Sequence, residues 1–103
     1  DVESLDRDFS VVEKKALSED EIDDLEKDKR NEQLAIYWCA KEAIFKRYEK
    51  SLLEFSEEIM ILPFDFQKEE GVVHAVAEPN DKKIPMTLKY KTLGDLALVY
   101  TID

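Results

Sequence analysis

One cysteine and one histidine stand among the 103 residues, and no apolar run approaches the roughly 18 residues of a membrane span. A single cysteine excludes an internal disulfide framework and suits a reducing compartment, so a cytoplasmic location is expected. One Cys and one His also exclude zinc sites built from several such ligands. No secretory leader is visible, although the sequence starts at Asp1 rather than Met. Positive charge is scarce as well: Lys and Arg number 15 against 25 Asp and Glu, a net charge of −10. That balance argues against general nucleic-acid binding, which needs a basic face. Any phosphate ligand would meet the same repulsion, so a divalent ion must neutralise it or basic residues must come from elsewhere. Carboxylate is what the chain has in plenty, and it favours hard cations such as Mg²⁺. The 44% hydrophobic fraction supports a folded core despite 39% charged residues. Residues 1–103 read as a single α+β domain, which at this size buries about two-thirds of its unfolded surface.

The order of elements follows from periodicity. Asp1-Val2-Glu3-Ser4 alternates polar and apolar, as the tail of a strand would, with residues 1 and 3 on one side. Residues 8–16 suit a short helix. Ser18-Glu19-Asp20-Glu21 matches a capping box and predicts a helix over 19–27, whose acidic run through Asp24 reads as a solvated face. A longer helix follows from about 31 to 49. Glu58 to Leu62 then reads as a strand ended by Pro63, with Phe64-Asp65-Phe66 covering one sheet edge. Residues 72–78, 84–91 and 96–101 form further strands, separated by the turn signals Pro79-Asn80-Asp81-Lys82 and Thr92-Leu93-Gly94-Asp95. Two to three helices packed on a small antiparallel sheet are expected, with the long helix against the sheet.

That long helix holds the chemistry. Its apolar residues at 34, 35, 37, 38, 39, 40, 43, 44 and 45 point in nearly every direction, so it should be buried on most sides. Charges in such a setting cost several kcal/mol, roughly, unless something offsets them. Lys46 lies about 40° from Glu42 around the helix, and Trp38 about 40° the other way. Asp1 and Glu3 would meet Glu42 if strand and helix converge, and three carboxylates could then form part of an Mg²⁺ oxygen shell. Lys46 could hold a phosphate oxygen. A surface pair of the Lys41–Glu49 type is the simpler account of the charges, but it leaves their apolar surroundings unexplained. Trp38 and Phe45 read as core, Cys39 as a small buried side chain rather than a nucleophile, and His74 as a strand residue.

Asp1-Val2-Glu3, then Leu17-Ser18-Glu19-Asp20-Glu21, then Trp38-x-x-Lys41-Glu42-x-x-x-Lys46 resembles the 4′-phosphopantetheinyl transferases. The similarity is greatest to the surfactin-synthetase-activating (Sfp-like) branch. Asp1 and Glu3 correspond to the acidic pair of that family's Gly-x-Asp-x-Glu motif, and Trp38, Lys41, Glu42 and Lys46 to its Trp-x-x-Lys-Glu-x-x-x-Lys motif. The resemblance implies Mg²⁺-dependent transfer of 4′-phosphopantetheine from coenzyme A to a serine of an acyl or peptidyl carrier protein, releasing 3′,5′-adenosine bisphosphate. Asp1, Glu3 and Glu42 would ligate the metal, Lys46 would contact coenzyme A, Lys41 would contact it too or else stabilise neighbouring structure, and Glu42 and Lys46 would act in catalysis. The sequence starts inside the first motif, so the resemblance is to the C-terminal half of a pseudo-dimeric fold. A missing N-terminal half, or self-association, would then complete the site. The alternative is a non-enzymatic domain that keeps the fold and binds a carrier protein.

Overall fold

The computed structural model describes residues 1–48 and 53–102. Within them lie three α-helices, α1 (Ser10–Ala16), α2 (Glu19–Asp23) and α3 (Arg30–Arg47), and five strands. The strands are β1 (Val2–Ser4), β2 (Ile59–Ile61), β3 (Glu70–Ala77), β4 (Ile84–Leu93) and β5 (Leu96–Thr101). They make one antiparallel sheet in the order β1-β5-β4-β3-β2. This is the α+β architecture expected of the sequence. No described helix is long and apolar enough to cross a membrane.

Alternation along the strands builds one buried face. Val73, Ala75 and Ala77 of β3, Met86, Leu88 and Tyr90 of β4, and Ala97 and Val99 of β5 join a single core with α3. The opposite face carries exposed Val2, Val72 and Leu96. Two turns shape the meander. Asn80 (φ 54°) and Asp81 (φ 63°) take the left-handed conformation between β3 and β4. Gly94 (φ 60°) makes the two-residue turn between Leu93 and Leu96, where a glycine carries no steric cost. Gly71 has a different reason to be glycine. It sits opposite Tyr90 across the β3–β4 pair, and a Cβ there would fall 2.5 Å from the ring carbons. Gly71→Ala should therefore displace the Tyr90 ring and cost roughly 1–3 kcal/mol, read as a lower thermal midpoint.

Helix boundaries are set by where particular amides find acceptors. The capping box at Ser18 forms: Ser18 Oγ accepts from the Glu21 amide, and Glu21 Oε1 accepts from the Ser18 amide at 2.9 Å. α2 nevertheless stops at Asp23 instead of reaching 27. The Glu26 amide donates to Gln33 Oε1 at 2.6 Å, so the chain leaves the helix to meet α3. α1 starts two residues later than residue 8 because the Phe9 amide donates to Asn31 Oδ1 at 2.8 Å. α3 matches the expected helix closely, ending where the Tyr48 amide donates to Ile44 O and Phe45 O. The expected end at Glu49, and the Lys41–Glu49 pair, lie outside the described residues.

The aromatic segment after β2 departs from expectation. Phe64 lies 5.4 Å from the Tyr37 ring on α3 and 6.1 Å from Tyr90 on the central strand β4, and Phe66 stacks on Tyr90. These rings fill the layer between helix and sheet, not a sheet edge. The β2 edge is closed by a charge instead: the Ile61 amide donates to Glu21 Oε2 at 2.8 Å.

Candidate metal and phosphate site

β1 pairs with β5 in the register Val2↔Leu98 and Glu3↔Ala97. Ala97 belongs to the buried face, so Glu3 and Asp1 point toward the helix side while Val2 points away. The strand is pinned twice. The Val99 amide donates to Asp1 O at 2.8 Å. Beyond the strand, Asn31 Nδ2 donates to Leu5 O and Arg7 O while its Oδ1 takes the Phe9 amide, stapling the descending chain to the start of α3.

Glu42 on α3 meets this strand. One carboxylate oxygen each from Asp1, Glu3 and Glu42 lie within 4.8 Å of one another, and all three residues are half-buried. Two cations flank the group. Lys46, one turn beyond Glu42, donates from Nζ to Asp1 Oδ1 at 2.9 Å and is otherwise exposed. Arg7 Nη1 donates to Glu3 Oε2 at 3.1 Å, its guanidinium lying over the Phe9 ring at 5.3 Å. Glu42 has no counter-ion at hydrogen-bond distance among the described residues. The three carboxylates make an all-oxygen donor set, which fits a hard divalent ion such as Mg²⁺. The structure thus brings together Asp1, Glu3, Glu42 and Lys46, four of the five residues singled out in the sequence.

Lys41 is the fifth, and of its two expected roles its surroundings favour the structural one over contact with a ligand. The side chain is fully buried. Its three ammonium protons go to Ala16 O at 2.7 Å, Glu21 Oε1 at 2.6 Å and Phe55 O at 2.7 Å. No proton is left for a phosphate. Burial pulls the Lys41 ammonium below the ordinary lysine value, and the Glu21 carboxylate counters part of that pull. Glu21 is likewise buried, so the acidic run from Glu19 is solvated except at this residue.

The remaining expectations sort by burial. Cys39 is buried, and burial first, then nearby Glu3, pushes its thiol up to about 12, which keeps it protonated and non-nucleophilic at neutral pH. His74 is exposed on β3, its Nδ1 3.4 Å from Thr87 Oγ1. Trp38 packs on Phe55 at 5.5 Å, and Phe55 on Phe45 at 5.0 Å. A cavity of about 470 Å³ lined by Leu5, Lys29, Phe66 and Thr92 lies at the other end of α3. Glu42 is ten residues from Glu32 of that lining, about 15 Å along the helix.

Arg7, Glu21 and Asn31 were missed by sequence reasoning. Lys41 and Glu21 had a visible signal: Lys41 falls on one helix face with Tyr37 and Ile44, and a capping-box glutamate folds back instead of facing water. Asn31 acts through non-local contacts that no spacing announces, whereas Arg7 reaches Glu3 only four residues away, a spacing that signals nothing outside a helix.

Comparison with protein families gives one finding: a family model described as the 4′-phosphopantetheinyl transferase superfamily matches residues 1–98. No curated protein and no solved structure matches the chain.

Proposed function

The chain belongs to the 4′-phosphopantetheinyl transferase superfamily, and we propose that it transfers 4′-phosphopantetheine from coenzyme A to a serine of an acyl or peptidyl carrier protein, releasing 3′,5′-adenosine bisphosphate. One observation carries this reading: Asp1, Glu3 and Glu42, from two elements far apart in sequence, bring carboxylate oxygens within 4.8 Å of one another. These three residues would hold Mg²⁺. When bound, the ion supplies charge neutralisation and polarisation of the pyrophosphate.

The chain's own residues do the rest. Lys46 is exposed at the rim and can release Asp1 to grip a phosphate oxygen as a mobile point charge. Glu42, without a counter-ion of its own, would take the proton of the attacking serine hydroxyl, directly or through water. Asp1 and Glu3 are held by the β1–β5 register, so the site is ordered before substrate arrives and catalysis draws on positioning more than on bond-making groups. Lys46 and Arg7 are few cations for the several phosphates of coenzyme A. That scarcity supports a site completed by further protein, as in the Sfp-like arrangement of two similar halves, with this chain as the C-terminal one, or by self-association.

Calorimetric titration with coenzyme A separates the two functional classes. Binding should tighten by about tenfold or more when Mg²⁺ is present, a gain near 1.4 kcal/mol. A carrier-binding domain without chemistry would bind its carrier equally with and without Mg²⁺ and show no Mg²⁺ effect on coenzyme A, which would overturn the transferase reading.

A further inference from the structure

α3 has an unusual difficulty. Its buried residues, Leu34, Ala35, Ile36, Tyr37, Cys39, Ala40 and Ile44 among them, run nearly round the helix. Apolar burial is non-directional, so such a helix gains almost the same free energy over a range of rotations about its axis. Its one carboxylate at the site does not share that tolerance. A side-chain tip lies about 5–6 Å from the axis, so each 10° of rotation moves it by about 1 Å. Metal and catalytic constellations tolerate about 0.5 Å. Close packing narrows that range, and directional contacts of Asn31 and Gln33 fix the start of the helix; the end that carries Glu42 needs a directional contact of its own.

The buried ion pair has the required geometry. Lys41 donates to Ala16 O at the end of α1, to Glu21 Oε1 at the start of α2, and to Phe55 O beyond α3. Glu21 Oε2 in turn takes the Ile61 amide of β2. A single side chain of α3 is therefore fixed in three directions against three separate segments, and through Glu21 to the sheet. Glu42 is the next residue. Stability alone does not account for this arrangement, because apolar residues of similar volume often replace a buried pair at no loss. We propose that the Lys41–Glu21 pair is the positioning element that sets the rotation of the end of α3 carrying Glu42 and so aims Glu42 at Asp1 and Glu3.

The inference rests on the carboxylate cluster being a metal site, and its test keeps the two apart. Mn²⁺, a hard stand-in for Mg²⁺, is titrated into the protein and followed by electron paramagnetic resonance. No Mn²⁺ binding by the unaltered protein would mean that the metal reading fails. Given binding, the double variant Glu21→Gln/Lys41→Met removes both charges while keeping volume, and Leu34→Ala destabilises the far end of α3 as a control. The double variant should bind Mn²⁺ at least about 10-fold more weakly, the range seen when outer partners of metal ligands are lost. Leu34→Ala, at an equal or lower thermal midpoint, should stay within about 3-fold. Equal affinities in the double variant and the unaltered protein, or equal losses in both variants, would overturn the positioning role. If the double variant does not fold, Lys41→Arg carries the same comparison, since it keeps the charge but cannot reproduce the three-way ammonium geometry.

Discussion

Glu42→Gln should lower Mg²⁺-dependent modification of a carrier protein by about 10²–10³-fold, the cost of removing one preorganised charge-stabilising group. The substitution keeps shape and removes one charge. Glu42 is half-buried and has no ion pair among the described residues, so nothing else is left unpartnered by the change. It also relieves repulsion among three carboxylates whose oxygens lie within 4.8 Å. The thermal midpoint should therefore hold or rise slightly while turnover collapses. The carrier protein's mass shift, followed over time at saturating coenzyme A and Mg²⁺, reads the rate, and thermal unfolding reads the fold. Unchanged turnover in a folded variant would remove Glu42 from the chemistry.

The largest effect on stability is expected one residue earlier. Lys41→Met alone leaves the Glu21 carboxylate buried without its cation, and strips the acceptors Ala16 O and Phe55 O of their donor. Breaking one side of a buried pair costs about 3–5 kcal/mol, against a total of about 5–15 kcal/mol for a domain of this kind. At about 4–8 °C per kcal/mol, the thermal midpoint should fall by about 12 °C or more. The double variant with Glu21→Gln should recover most of that loss. The exposed Arg7–Glu3 pair provides the contrast, because screening limits such surface pairs to about 1 kcal/mol or less. A loss for Lys41→Met no greater than that of a surface pair would contradict the burial of its ammonium.

These two neighbouring residues also show what the sequence could and could not convey. Local chemistry was legible: the capping box at Ser18, the turn at Pro79–Asp81 and the alternation in β3 and β4 each depend on residues close in the chain. The juxtaposition of Asp1, Glu3, Glu42 and Lys46 followed from helical and strand periods together with the family resemblance. Lys41 is open to two roles in the sequence because a charged residue inside a charged motif suggests a ligand contact, whereas its helix face, shared with Tyr37 and Ile44, belongs to the core. Its partner was hidden in an acidic run that otherwise faces water. Phe64 and Phe66 were placed at an edge because their hydrophobicity says that they are covered but not by what. That depends on Tyr37 and Tyr90, which Phe64 can bridge only once α3 has packed on the sheet. The early stop of α2 has the same origin in a distant residue, Gln33.

The pairing of β1 with β5 has a consequence in the order of events during folding. Val2 meets Leu98 across nearly the whole chain, a loop closure that comes late because its entropy must be offset by structure already formed. α3 and the β3–β4 hairpin are local by comparison and can form before it. A nascent or truncated chain lacking β5 can thus carry Glu42 on a formed helix while Asp1 and Glu3 wander. The carboxylate cluster appears only when that long closure is made, so its assembly reports on the pairing of β1 with β5.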